Sequence, residues 1–468
     1  MPSPVINIEQ MRDWEKATWA GGQTEAAVIR LVGQSVACHA LRLTRPQDFI
    51  LILAGKGHNG EDARAARDYL LERRIELLEV TDPQAALSRL DAALSLGPML
   101  IIDGLFGVGL NRPLSQEWAA FIEGVNRSRI PVLAVDTPSG LNADTGQAQG
   151  AAIRAAVTLT VGAPKTGLLQ EAAWPFVGRL EVARDVGLAA CPHRSELQWT
   201  LAEDFTGFPP WRAAASHKGS YGHLSIIAGS LGFHGAAVLT ARGAQRAQPG
   251  LITLHALESV YQPIASQLQA VMVSPWQPET RLPANTTAVL IGPGLAAPDV
   301  PEPLRVLTRH LWRDSLMPVI VDASALDWLP LDPAPRNAVR VITPHPGEAA
   351  RLLSSTSKQV QAGRLKALRD VSRRFANTWV VLKGHQTLVG RNAGEVYVNS
   401  SGNPHLAQGG SGDALSGYLA GLLAQPELQS NPLQTLRYAV WQHGAAADRL
   451  QAARRNWVVE ELVEDLGR

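Results

Sequence analysis

The sequence predicts an α/β protein of two domains, each a largely parallel sheet wound with helices on both faces. Three observations lead there. Short apolar runs bounded by glycine or proline alternate with stretches of helical periodicity, the pattern of buried parallel strands joined by crossover helices. The runs fall into two sets separated by a proline- and tryptophan-bearing stretch without periodicity. The length, 468 residues, exceeds one core on a scale of roughly 100 to 200 residues per domain.

In the first set the expected strands are Phe49-Ile50-Leu51-Ile52-Leu53, Leu77 to Val80, Met99 to Ile102 and Val132 to Val135. The second set starts at Leu224-Ser225-Ile226-Ile227 and continues through Leu251 to Leu254, Ala288 to Ile291, Val319 to Val321, Val341-Ile342 and Val380-Val381-Leu382. Between them, about Cys191 to Ser216 reads as a linker packed on one domain or the other, with the boundary placed at Phe205: domains 1–205 and 206–468.

Composition narrows the partners. Charged residues are 18% and the net charge is +1, so neither nucleic acid nor an anionic membrane is expected, and the substrate should be small. Two cysteines, Cys38 and Cys191, make no disulfide framework or structural zinc site and fit a reducing cytosol. Met1 to Trp19 lacks the basic and apolar regions of a secretory signal, and no apolar run reaches about 18 residues. A cytoplasmic protein is expected.

Gly55-Lys56-Gly57-His58-Asn59-Gly60 follows an apolar run and precedes a helix expected near Glu61, matching the dinucleotide fingerprint, with Glu79 as the acid after the next strand. Glu61 and Asp62, however, would compete with a pyrophosphate at the helix start. A tight strand-to-helix turn is the other reading. Asp103-Gly104-Leu105-Phe106-Gly107-Val108-Gly109-Leu110 and Asp136-Thr137-Pro138-Ser139-Gly140-Leu141 also place aspartates at strand C-terminal ends, the edge where open parallel sheets bind ligands. Singly each is a helix cap; together they predict one crevice.

In the second half, Gly409-Gly410-Ser411-Gly412-Asp413 opens a helix rich in small residues. Consecutive glycine N–H groups at a helix start form an anion hole for a nucleotide phosphate, and Asp413 at its rim can take a proton from an attacking hydroxyl. Gly417 and Gly421 are assigned to helix packing. No P-loop motif is present. Lys383, after Val380-Val381-Leu382, and the turn Thr343-Pro344-His345-Pro346-Gly347-Glu348 fall on the same presumed sheet edge.

Over nearly its whole length, and in domain order, the chain resembles the bifunctional NAD(P)H-hydrate repair enzymes. The N-terminal resemblance, to the Rossmann-like αβα epimerase domain, is carried by Gly55 to Asp62, Asp103 to Pro113 and Asp136 to Gly146. The C-terminal resemblance, to the ribokinase-like dehydratase domain, is carried by His217 to Gly222, Ala228-Gly229-Ser230, Gly235-Ala236, Gly292-Pro293-Gly294-Leu295, Thr343 to Glu348, Leu382-Lys383-Gly384 and Gly402 to Asp413.

The resemblance implies that NADH and NADPH hydrates are substrates. The N-terminal domain would interconvert the R and S forms, and the C-terminal domain would dehydrate the S form with ADP, leaving AMP and phosphate, with Mg²⁺ on the nucleotide. By the same resemblance, Ala236, Gly294, His345 and Asp413 line the dehydratase hydrate pocket, and Lys383, Gly384, Gly409, Gly410, Ser411 and Gly412 take the nucleotide. In the first domain, His58, Asn59, Gly60, Glu61 and Asp62, the loop Gly107-Val108-Gly109-Leu110-Asn111-Arg112-Pro113, and Asp136 take the hydrate. Asn59, Asp103 and Ser139 match potassium ligands. Asp413 and Asp136 are the implied acid/base groups, and a homo-oligomer is expected by analogy. Lys165 is a weaker acid/base candidate, with solvated surface as the other reading.

The first domain departs from its family where His58-Asn59-Gly60-Glu61-Asp62-Ala63 replaces Asn-Asn-Gly-Gly-Asp-Gly, and where Arg30 replaces a glutamate. A weakened epimerase site is the corresponding expectation. The second domain departs less: Gln248-Pro249, Ser324 and His405-Leu406 stand where the family has Gly-Ala, aspartate and Gly-Met. The alternative reading is a ribokinase-like small-molecule kinase with a non-catalytic N-terminal binding module.

Overall fold

The computed structural model describes residues 3–298, 300–331, 338–454 and 456–468. They form two compact units, Ser3–Ser195 and Glu196–Arg468. The division precedes the expected boundary at Phe205, for a packing reason. Leu197–Trp199 adds as a parallel strand to Val396–Val398 of the second unit, and the Phe205 ring stacks against Tyr438 and Trp441. Of the segment read as a linker, Leu197 to Phe205 therefore packs with the second unit, while Cys191 packs against the core of the first.

The first unit has a parallel sheet of strands β1 (Phe49–Ala54), β2 (Arg74–Glu79), β3 (Leu100–Gly104), β4 (Val132–Val135), β5 (Val157–Val161) and β6 (Arg179–Ala183), in the order β2-β1-β3-β4-β5-β6. Residues alternate across β1: Ile50 and Ile52 enter one core with α1 (Ile8–Ala20) and α2 (Glu25–Leu43), while Leu51 and Leu53 enter another with α4 (Pro83–Ser95) and α5 (Gln116–Ser128). That is a three-layer sandwich. Each of these four side chains is fully buried, a stabilisation of roughly 1.5–3 kcal/mol apiece relative to exposure. The chain order reverses between β1 and β3, so the crevice at their C-terminal ends is where a ligand is admitted.

The second unit has strands β7 (Leu197–Trp199), β8 (His223–Ile227), β9 (Leu251–Leu257), β10 (Met272–Trp276), β11 (Ala288–Ile291), β12 (Val319–Val321), β13 (Arg340–Ile342), β14 (Trp379–Leu382), β15 (Leu388–Gly390) and β16 (Val396–Val398). Their order is β7-β16-β15-β14-β13-β12-β11-β8-β9-β10, parallel except where β15 runs against β14 and β16. The reversal point lies between β8 and β11. Helices α6 (His234–Arg246) and α7 (Ser411–Leu423) pack closely, and the two glycines assigned to packing make this possible. A side chain at Gly417 would collide with the Thr240 carbonyl, and one at Gly421 would meet the Ala244 carbonyl at 2.7 Å.

Among the described residues, no helix is long and apolar enough to cross a membrane.

Candidate active sites

In the first unit, α3 (His58–Ala66) begins at His58, ahead of the start expected at Glu61. The stretch Gly55–Gly60 is thus a tight strand-to-helix turn, closed where Gly60 presses on the Gly55 carbonyl with no room for a Cβ. Glu79, the candidate ribose acid, is instead held by the Arg64 guanidinium, whose Nε donates at 2.8 Å. The plain dinucleotide reading ends there.

The three loops nevertheless converge. A cavity of about 1010 Å³ is lined by His58, Asn59 and Asp62, by the whole loop Gly107 to Pro113, and by Asp136. Gly60 and Glu61 do not line it: the first is pinned against Gly55 and the second points to solvent. Two departures from the family, Ala63 and Arg30, likewise stand outside the cavity lining. The Ala63 methyl packs over Gly104, on the sheet side of α3, and Arg30 is exposed and outside the cavity wall.

Asp136 sits in left-handed backbone at φ 61°, rare for a residue with a side chain. Its N–H bonds the Leu159 carbonyl at 2.8 Å, and its Oδ1 accepts from the Val161 N–H at 3.0 Å and from Lys165 Nζ at 2.6 Å. Lys165, for which solvated surface was the other reading, is 0% exposed. The N-terminal segment seals it in, Ile6 bonding the backbone on either side at Pro164 and Thr166. An ammonium so buried requires its carboxylate partner. Beside the pair, Asn59, Asp103 and Ser139 cluster. Asp103 accepts from the Ser139 hydroxyl at 2.6 Å and from its N–H at 2.8 Å, and burial still pushes its carboxyl up to about 6. The Asn59 Oδ1 atom is buried without a protein partner.

In the second unit the loops after β11, β12, β13 and β14 carry the chemistry. Gly294, at φ 66°, lies against Ala236, whose Cβ would be 3.0 Å from a side chain there. Lys383 Nζ donates to Asp322 Oδ1 at 2.8 Å and stands 4.0 Å from Glu348. Burial works against the ammonium, but Asp322, Glu348 and Asp413 outweigh it and hold Lys383 above its ordinary value. His345 caps the next helix, its Nδ1 accepting from the N–H groups of Gly347 and Glu348. Gly384 instead faces the buried Arg364 guanidinium.

Gly410, at φ 94°, is the N-cap of α7, a conformation suited to glycine. The first turn of α7 offers N–H groups without intrahelical acceptors, and a Cβ at Gly412 would stand 3.5 Å from Lys383 Nζ. The anion hole and the lysine therefore adjoin. His443, which no local signal marks, bonds the Ser411 carbonyl through Nε2 at 3.0 Å from behind. Burial pushes the Asp413 carboxyl up to about 7, Asp322 adding to the effect and Lys383 opposing it. A base with that value would make the free-enzyme rate rise along a limb centred near pH 7, because Asp413 must lose its proton first. Lys383→Met should move the limb to higher pH; a pH series of kcat/KM checks both.

Residues 25–167 match the family of the YjeF-related protein N-terminus, and residues 224–466 match the NAD(P)H-hydrate dehydratase family. The bifunctional NAD(P)H-hydrate repair enzyme of Gloeobacter violaceus is 36% identical, over 96% of this chain and 94% of that protein. The chain belongs to the bifunctional NAD(P)H-hydrate repair enzymes. Two other members of these repair enzymes, from Coxiella burnetii and Escherichia coli, are 35% and 33% identical over 94% and 89% of this chain, and over 93% and 84% of theirs. A ribokinase-like superfamily protein from Enterococcus faecalis, 23% identical, superposes with a TM-score of 0.50 over 59% of this chain and 95% of its own. It shows the ribokinase-like fold of the second unit.

Proposed function

We propose that the chain restores hydrated NADH and NADPH, the first unit interconverting the R and S hydrates and the second dehydrating the S hydrate at the expense of ADP. One observation carries the reading: each unit sets an aspartate, a carboxylate-paired lysine and a glycine-bearing loop on the ligand-binding edge of its sheet, in a chain aligned with these repair enzymes over 96% of its length.

In the second unit the S hydrate would lie along Ala236, Gly294 and His345, and the nucleotide along Lys383 and the Gly409–Gly412 loop. Direct loss of hydroxide is slow because it is a poor leaving group. Asp413 takes the proton of the ring hydroxyl, whose oxygen bonds the terminal phosphorus of ADP while the bond to AMP breaks; phosphate then departs with the carbon–oxygen electron pair, pushed out by the ring nitrogen, and the neighbouring ring carbon gives up a proton to solvent so that its C–H electron pair restores the ring double bond. Lys383, steered by Asp322, and the N–H groups of α7 offset the charge that builds on the transferring phosphoryl group. Oxygen donors of Asp322 and Glu348 suit Mg²⁺, which would supply further charge neutralisation on the phosphates.

The first cavity is graded in charge. Arg12, Lys56 and Arg112 line its exposed rim, where Glu25 is paired with His58, while Glu15, Asp62 and Asp136 line its buried or half-buried interior. A dinucleotide hydrate would enter with its phosphates at the rim and its damaged ring at the floor. The partnerless Asn59 Oδ1, with the oxygens of Asp103 and Ser139, fits a hard monovalent cation, and potassium would hold these loops together.

The test mixes R plus S hydrates of NADH with protein and ADP or ATP and follows NADH absorbance. Full recovery with release of inorganic phosphate is expected. A stable phosphorylated product would indicate a small-molecule kinase instead, and recovery of the S fraction alone, above the spontaneous rate, would remove the epimerase claim.

A further inference from the structure

Binding a hydrate does not call for as much acid as the first cavity holds. Asp136, 8% exposed, and Asp62, 9% exposed, both line it, the first from the end of β4 and the second from α3. Their surroundings differ. Asp136 is matched by Lys165 Nζ at 2.6 Å and bonded by the Thr160 hydroxyl at 3.3 Å. Asp62 faces carboxylates instead: Glu15 from α1, Glu25 from α2, Glu61 on its own helix and Asp136 across the cavity. The positive groups nearby are engaged or at the rim, His58 being paired with Glu25 at 2.8 Å, Lys165 with Asp136, and Arg12 and Lys56 standing at the mouth.

We infer that Asp62 is the proton donor of epimerisation and Asp136 the acceptor, with Glu15 a positioning residue that keeps the proton on Asp62. The inference rests on the epimerase reading of the first unit. Two carboxyl groups in one site, one bonded to a lysine ammonium and the other set among carboxylates, make a base and an acid. Burial, then Asp136, Glu61, Glu15 and Glu25, hold Asp62 up at about 8, so it enters neutral solution carrying its proton. Glu15 is likewise raised, by burial and then by Asp136, with Lys165 and His58 pulling the other way.

The substrate chemistry uses both groups. Water added across the double bond beside the ring nitrogen leaves one carbon bearing both the hydroxyl and that nitrogen. Asp136 takes the hydroxyl proton, and the freed O–H electron pair forms a carbonyl as the carbon–nitrogen bond breaks. The nitrogen keeps the electron pair of that bond and takes the Asp62 proton. Rotation of the aldehyde presents its other face; the nitrogen re-adds, returning its proton to Asp62, and the oxygen recovers the proton from Asp136. Nothing is oxidised, reduced or consumed.

The experiment uses the full chain with the R hydrate of NADH, without nucleotide, and follows R-to-S conversion by chromatography against the spontaneous rate. Native conversion should fall off above about pH 8, as Asp62 loses its proton. Asp62→Asn, nearly the same in shape, should lower conversion by about 10²–10⁴-fold, while ADP-dependent recovery from the S hydrate stays unchanged. Glu15→Gln removes a charge that raises Asp62, so it should retain conversion at pH 6 and shift the alkaline limb to lower pH. That second variant, on a half-buried side chain, decides the matter if Asp62→Asn does not fold. Conversion by Asp62→Asn within threefold of native, or an unmoved limb in Glu15→Gln, overturns the assignment. A native protein that converts nothing overturns the epimerase reading itself, a different result from a native enzyme whose Asp62→Asn variant still works.

Discussion

Asp413→Asn should reduce ADP-dependent recovery of NADH from the S hydrate by about 10²–10⁴-fold, the usual worth of a positioned general base, and leave R-to-S conversion at its native rate. The asymmetry follows from geometry. Asp413 lies in the first turn of α7, beside the Gly409–Gly412 loop, and its charge is felt by Lys383. Asparagine keeps the volume of the carboxyl but cannot take a proton. Nucleotide affinity should change little, since the N–H groups of α7 and the Lys383 ammonium remain. A single-turnover assay with S hydrate, alongside ADP binding by calorimetry, separates the two effects. Equal loss of epimerisation would contradict two independent sites.

The second large effect is expected of Lys165→Met. The substitution fits the space but strands Asp136, which is 8% exposed and has Lys165 as its ion-pair partner. Removing one partner of a buried pair typically costs about 3–5 kcal/mol, because the other charge is left uncompensated. The first unit should therefore melt earlier, and epimerisation should be lost, while the ADP-dependent reaction of the second unit persists below the new transition. Lys165→Met with Asp136→Asn should recover part of the stability and none of the epimerisation. Calorimetric unfolding of the single and double variants provides the check.

Much of this was legible in the sequence wherever burial leaves a continuous apolar run. Val132–Val135, Ala288–Ile291 and Val319–Val321 are strands with the expected ends. Val157–Val161 escaped because threonines interrupt it, yet Thr158 and Thr160 are fully buried. Their hydroxyls bond the Val177 carbonyl at 2.7 Å and Asp136 at 3.3 Å, so a polar residue there costs little. Arg179–Ala183 escaped because its charges read as surface, and Leu197–Trp199 because three residues carry no period.

The sites divide the same way. Loops at strand ends announce themselves by glycine and aspartate, so Asp103, Asp136, Lys383 and Asp413 were all marked. Glu15, Lys165 and His443 were missed or underrated because their environments come from residues far along the chain: Lys165 meets Asp136 through a contact between the ends of adjacent strands, and His443 meets Ser411 from another helix. Nothing local distinguishes them. Nor does sequence order say which face of α3 a side chain occupies: of the departing residues there, His58 lines the cavity while Glu61 and Ala63 do not.

The close contact between α6 and α7 has a consequence for timing as well as for packing. Gly243 abuts Ala414 while Gly417 abuts Thr240, so the two helices interlock in both directions. One begins beside Ala236, in the proposed hydrate pocket, and the other at Ser411, in the proposed phosphate loop. Joined backbone to backbone, they would act as one strut with a reactant at each fork. The gap between hydroxyl and phosphorus would then be a manufactured dimension, fixed when the chain folds, and neither substrate would have to create it on arrival.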